Sequence, residues 1–203
     1  MKPIYWVYLA IVLLVGIWSG YKPYELELWF LEAGLCLAGL VALATTYKRF
    51  RFTHITYFFI TVEFVILLVG AHYSYARVPL FDWIREAFDL SRNNYDKVGH
   101  FAQGFVPAFI ARELLIRLNV FNKRSWMPFV VVCICLAISA FYELIEWWGA
   151  LVFTASAEDF LGTQGYEWDT QSDMFCAMVG AICMLVFFSK FQDKQIAKMK
   201  VKE

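Results

Sequence analysis

Three short stretches carry the side chains that can do chemistry. In Tyr95-Asp96-Lys97-Val98-Gly99-His100-Phe101-Ala102-Gln103-Gly104, residues Asp96, His100 and Gln103 recur at i, i+4 and i+7, one face of a helix. Glu143 and Glu146 follow at i, i+3, and Asp169 and Asp173 at i, i+4. One imidazole among several carboxylates suits a hard or borderline divalent metal ion better than a thiolate site would. The candidate metal ligands are therefore Asp96, His100, Glu143, Glu146, Asp169 and Asp173. Glu146 and Asp173 are also candidate catalytic groups, because a carboxylate left off the metal acts as general base on bound water. Lys97 is the third catalytic candidate, placed to hold a phosphate or carboxylate of a substrate.

Each group also has a structural reading. Asp96, Asp169 and Asp173 stand where acids cap helix N-termini, and Thr170 with Asp173 fits a capping box. Glu143 and Glu146 resist that explanation. They lie toward the C-terminal end of an apolar segment, where the helix dipole disfavours negative charge, and they repel each other. A carboxylate in mid-membrane costs roughly 2.5–3.5 kcal/mol, so a salt bridge to Lys97 or Arg92, a metal or a retained proton is expected. His100 alone reads as a packing residue, and Gly99 and Gly104 as points of close backbone approach. Tyr142, Trp147 and Trp148 read as interface anchors or the lining of a lipid-chain entrance.

The elements that must position these groups are membrane helices. Hydrophobic residues make up 61% of the 203-residue chain, against roughly half in soluble proteins, with 20 Phe, 11 Tyr and 8 Trp. A formal net charge of zero gives no footprint for nucleic acid. Cys36, Cys133, Cys135, Cys176 and Cys183 lie in apolar segments without a CxxC pair, so they read as small hydrophobes. Spans of about 20 apolar residues fall at 4–20, 26–46, 53–76, 96–118, 126–153 and 170–190. The first is read as an uncleaved span, because Gly16 to Gly20 makes a poor cleavage site. Gly34, Ala38 and Ala42 form a small-residue stripe on the second span. Glu63 sits in the middle of the third span and must find a partner, and His72 near its end is within reach of the cluster. Pro107 predicts a kink in the fourth. Between the third and fourth, Leu80, Ile84 and Phe88 oppose Asp82, Arg85, Glu86 and Asp89 on an amphipathic interfacial helix opened by Pro79.

The expected fold is therefore all-α: a polytopic bundle of six transmembrane helices plus one interfacial helix, a single domain over 1–190 with a lysine-rich tail at 191–203. Lys48, Arg49, Arg51, Arg117, Lys123, Arg124 and the tail lysines from Lys190 to Lys202 mark one face as cytoplasmic, with both termini there. The loop from Thr154 to Trp168 carries acids such as Glu158, Asp159 and Glu167 and no lysine or arginine. Arg77, Arg85 and Arg92 on the outward third loop run against the rule. All three chemical stretches then meet at the outer surface.

Tyr95 to Phe101, Tyr142-Glu143-Leu144-Ile145-Glu146-Trp147 and Glu167-Trp168-Asp169-Thr170-Gln171-Ser172-Asp173-Met174 together resemble the bacterial inner-membrane family typified by YjdF, over nearly the whole chain. More distantly, their order is similar to that in VanZ-like membrane proteins, a resemblance that maps onto Asp96, Lys97, His100, Glu146 and Asp173 and departs around Asp169 and Asp173. The resemblance implies the inner (plasma) membrane as location and supplies no reaction. Three functions fit. One is a membrane-embedded, metal-assisted enzyme on a lipid-linked or envelope substrate. Another is a structural protein whose polar cluster is a salt-bridge network. The third is a cation- or proton-coupled carrier using Glu63.

Overall fold

The computed structural model describes residues 3–152, 164 and 166–200, and these are all-α, without strands. The helices are α1 (Pro3–Ser19), α2 (Leu26–Thr46), α3 (His54–Tyr73), α4 (Pro79–Ala87), α5 (Tyr95–Arg117), α6 (Met127–Val152), α7 (Asp169–Cys183) and α8 (Ser189–Lys200). A 3-10 turn, Arg124–Trp126, leads into α6, and a π-helical turn, Met184–Phe188, joins α7 to α8 without a break. Among the described residues, the segments Trp29–Thr46, His54–Tyr73, Arg124–Val152 and Asp169–Met199 are long and apolar enough to cross a membrane. The 17-residue α1 is apolar but shorter, and α5 with its polar groups is not among the four. Glu158, Asp159 and Lys202 lie outside the described residues.

The architecture is organised on α5. It packs most extensively on α7, then on α6 and α3, while α1 and α2 pack on α3. Two glycines explain the α5–α7 contact. A Cβ on Gly104 would run into the Ala177 carbonyl, and one on Gly180 into the Phe101 carbonyl. Backbone meets backbone there, so no side chain fits between the two helices. Gly104 thus acts as expected. The Gly34–Ala38–Ala42 stripe does not, because all three residues are exposed and nothing lies within 4 Å of Gly34. The buried face of α2 instead carries Glu32 and Cys36. Below the glycines an aromatic cluster fills the core: Phe59 stacks on Phe109 at 4.9 Å and meets Phe105 edge-on at 5.0 Å, and Phe188 of the π turn packs on Phe105 at 5.4 Å.

At its C-terminal end α5 is tied by buried polar contacts. Glu113, fully buried, accepts from Thr53 N (2.8 Å), Thr53 Oγ1 (2.8 Å), Thr56 Oγ1 (2.7 Å) and Arg117 Nη1 (3.1 Å). Gln192 of α8 donates to the Phe109 carbonyl at 2.8 Å and accepts from Arg112 at 2.9 Å. Gln192 and Ile196 are buried, so the segment after 190 is a packed helix rather than only a charged tail. No glycine or proline interrupts it. Helix α5 likewise runs uninterrupted through Pro107.

Helix α4 forms with Pro79 at its start but ends at Ala87, before Phe88 and Asp89; no residue of it is buried, and Leu80, Trp83 and, just past its end, Phe88 are exposed. All five cysteines are free thiols, with Cys36 and Cys135 buried.

Candidate functional site

Asp96 opens the first turn of α5, and His100 follows one turn later on the same face. His100 Nε2 lies 3.3 Å from Asp96 Oδ1, and its Nδ1 lies 3.3 Å from Gln103 Oε1, so the i, i+4, i+7 stripe is a real line of contacts. The close α5–α7 approach brings Asp169 and Asp173 to this stripe. Lys97 Nζ bridges the two aspartates at 2.7 and 2.6 Å and lies 3.8 Å from Asp96. Arg92 holds Asp169 at 2.5 Å and Asp96 at 3.6 Å. His100 Nε2 is 3.8 Å from Asp173 Oδ1, and ligand atoms of Asp96, His100 and Asp173 all lie within 4.8 Å of one another.

These pairings correct the capping reading. Helix α7 has Trp168 at its N-cap and α5 has Asn94, neither with a side-chain cap bond. The acids sit inside the first helical turns, where the dipole still favours them, but their oxygens face cations on the neighbouring helix. Lys97, expected to hold a substrate, is clamped between two protein carboxylates.

The glutamates of α6 come to the same place with less company. Glu143 Oε1 is 3.7 Å from His100 Nδ1, is buried and accepts no hydrogen bond. Glu146 makes neither hydrogen bond nor ion pair among the described residues, and it lines a cavity of about 20 Å³ with Asp96, His100, Gln103, Tyr75 and Tyr142. That volume holds about one water or a bare ion. The cations Arg92 and Lys97 go to the aspartates, so the expected salt bridge from Glu143 or Glu146 to either is not made. The carboxyls of Asp96, Asp169, Asp173, Glu143 and Glu146 outnumber Arg92, Lys97 and a protonated His100. The surplus calls for a bound cation or retained protons.

Sequence reasoning missed Glu32. It is 2% exposed on α2 and accepts hydrogen bonds from Tyr75 (2.9 Å) and, at very short range, Tyr142. Tyr142 is therefore a buried-carboxylate donor rather than an interface anchor, whereas Trp147 and Trp148 are exposed as anchors should be. An acid in the middle of an apolar 21-residue helix was the available signal. His72 turns away from the cluster, with Nδ1 2.9 Å from the Ser19 carbonyl and its ring on Trp18. Glu63, expected to find a partner, makes no hydrogen bond or ion pair among the described residues.

A helical bundle with long apolar helices, and with its ionisable groups turned inward between α5, α6 and α7, is the build of a polytopic membrane protein. Residues 4–194 match the family described as Predicted membrane protein (DUF2238), and the chain belongs to it. It is 44% identical over 185 residues to the inner membrane protein YjdF of Escherichia coli strain K12, covering 91% of this chain and 88% of the relative. No solved structure matches. The more distant likeness to VanZ-like proteins is not supported by these comparisons.

Proposed function

We propose that this chain is an inner-membrane protein of six spans with both termini cytoplasmic, and that its cluster is the site of a metal-assisted enzyme acting on a lipid or envelope substrate at the outer leaflet. One observation carries the reading. Asp96, His100 and Asp173 converge from two helices to within 4.8 Å, while Glu143, 3.7 Å from His100, and Glu146, on the wall of the adjoining cavity, pair with no lysine or arginine among the described residues. That donor set fits a hard or borderline divalent ion, with the buried carboxylate surplus as its driving force. Lys97 already holds Asp173 Oδ1, so an ion draws on the other oxygen or takes the lysine's place. Asp169, held by Arg92 and Lys97, orients the lysine rather than the ion. Glu146, on the cavity wall, is the general base. A metal supplies a Lewis acid and an acidified water there. The cavity admits an ion or a water, so a head group enters only after the elements around it part.

Elemental mass spectrometry of detergent-purified protein, wild type beside His100→Ala with Glu146→Gln, tests this. A near-stoichiometric divalent metal that the variant loses supports the reading. Metal-free wild type after chelator-free purification refutes it.

The second reading is a structural one. Its support is that Arg92 and Lys97 close on three aspartates at 2.5–3.8 Å, as a network locking α5 to α7 would. It predicts that a neutral, shape-matched replacement of the whole network is tolerated.

A further inference from the structure

At the other end of α5, about 20 Å from His100 by helical rise, a second cleft opens between α5, the 3-10 turn before α6, and the junction of the π turn with α8. Its volume is about 270 Å³, near the lower end of ligand sites at roughly 300 Å³. Ile116, Met127 and Leu185 give it an apolar wall, and Arg112, Arg124 and Asp193 give it charge. The two arginines differ. Arg112 is 8% exposed and fixed by Gln192 (2.9 Å) and Asp193 (2.8 Å), which leave guanidinium donors uncommitted. Arg124 is exposed on the 3-10 turn, and its side chain makes no hydrogen bond or ion pair among the described residues. Its neighbour Trp126 is 61% exposed, as an aromatic at the membrane–water boundary is.

We propose that this cleft binds the head-group phosphate of an anionic phospholipid. Arg124 makes the main charged contact, the pre-positioned Arg112 adds a second, and the apolar wall takes the beginning of the acyl chains. Three features favour that occupant. A guanidinium fork matches phosphate oxygens in pairs. Half of the lining is apolar, which suits a lipid and gives a free anion nothing. The same end of the bundle carries Arg51 and Arg117, joined by a hydrogen bond from the Arg117 guanidinium to the Arg51 carbonyl, and the chain adds Lys123 and Lys190 beside the cleft-forming elements. A basic recess between membrane helices at a positively charged face is the arrangement that anionic leaflets attract.

The test uses delipidated full-length protein in neutral detergent, with melting followed by tryptophan fluorescence. Phosphatidylglycerol, phosphatidylcholine and inorganic phosphate are titrated separately. The expected result is a rise in melting temperature with phosphatidylglycerol at concentrations where the other two have no effect. Arg124→Gln, which removes no contact within the protein, weakens the apparent affinity about fivefold. Arg49→Gln, an exposed arginine on the α2–α3 loop, leaves it unchanged. The proposal is overturned by no shift with phosphatidylglycerol, by an equal shift with phosphatidylcholine, or by a phosphate effect as large as the lipid's. It is equally overturned if Arg124→Gln binds like wild type or if both variants weaken binding alike.

Discussion

Replacing Lys97 separates what this side chain does for the fold from what it does for chemistry. In Lys97→Met the stem still packs, but Asp173 loses its 2.6 Å partner and keeps only His100 at 3.8 Å. Asp169 retains Arg92 at 2.5 Å. The damage therefore concentrates on Asp173, whose side chain is 3% exposed. Removing one partner of a buried pair costs about 3–5 kcal/mol when the charge is left alone. With His100 nearby, the lower figure of about 3 kcal/mol is the expected loss. For a chain of this length that is a fall of roughly 6–12 °C in melting temperature. Adding Asp173→Asn removes the stranded charge and should return about 2 kcal/mol, a coupling within the range of directly contacting pairs. The assay is thermal unfolding of the two single variants and the double variant in one detergent, read as a double-mutant cycle. If Lys97→Met melts within a degree of wild type, or the double variant melts no higher than the lysine variant, the clamp is not a stabilising contact. Lys97 is then free to act on a substrate.

Two further predictions concern the elements around the site. Gly104→Ala and Gly180→Ala each set a methyl against a carbonyl of the partner helix, so each should lose about 1–3 kcal/mol although alanine is the better helix former by about 1 kcal/mol. Gly34→Ala, with nothing within 4 Å, should be neutral or slightly stabilising in the same unfolding assay. A Gly104 variant as stable as wild type would contradict the contact. Glu32→Leu strands the Tyr142 hydroxyl and leaves that of Tyr75 only the Leu67 carbonyl at 3.5 Å, and should cost about 1–3 kcal/mol for the group left unpaired. Glu32→Gln, which keeps an acceptor, should recover most of that loss, and equal melting of the two variants would rule out the hydrogen bonds as the cause.

The sequence was most informative where periodicity and length decide structure. The helices at 26–46 and 79–87, and most of those at 54–73, 95–117 and 127–152, follow from apolar run length, from the alternation around Leu80 and Ile84, and from Pro79. The gathering of three distant polar stretches was also legible, because acids in apolar helices have to face protein. What was not legible is which acid takes which cation. That depends on the rotation and register of α5 against α7, which Gly104 and Gly180 set through backbone contacts that no charge pattern encodes. Glu32 and Glu113 were overlooked because neither recurs with another acid at i, i+3 or i, i+4. Their partners, Tyr75 and Tyr142 for one and Thr53 and Thr56 for the other, lie on other segments of the chain.

Glu143 and Glu146, two acids near the end of a helix, call for a cation, a metal or retained protons, and Arg92 and Lys97 go instead to Asp96, Asp169 and Asp173. The aspartates win because they sit on α7 and at the start of α5, next to Arg92 and Lys97. Helix α6 meets the cluster through His100 and through a Glu143–Thr170 contact, neither of which is a lysine or arginine. The glutamates are left as the uncompensated side of the site. An external ion or a pair of retained protons can complete that side without moving a helix, and the metal measurement distinguishes these two ways of balancing it.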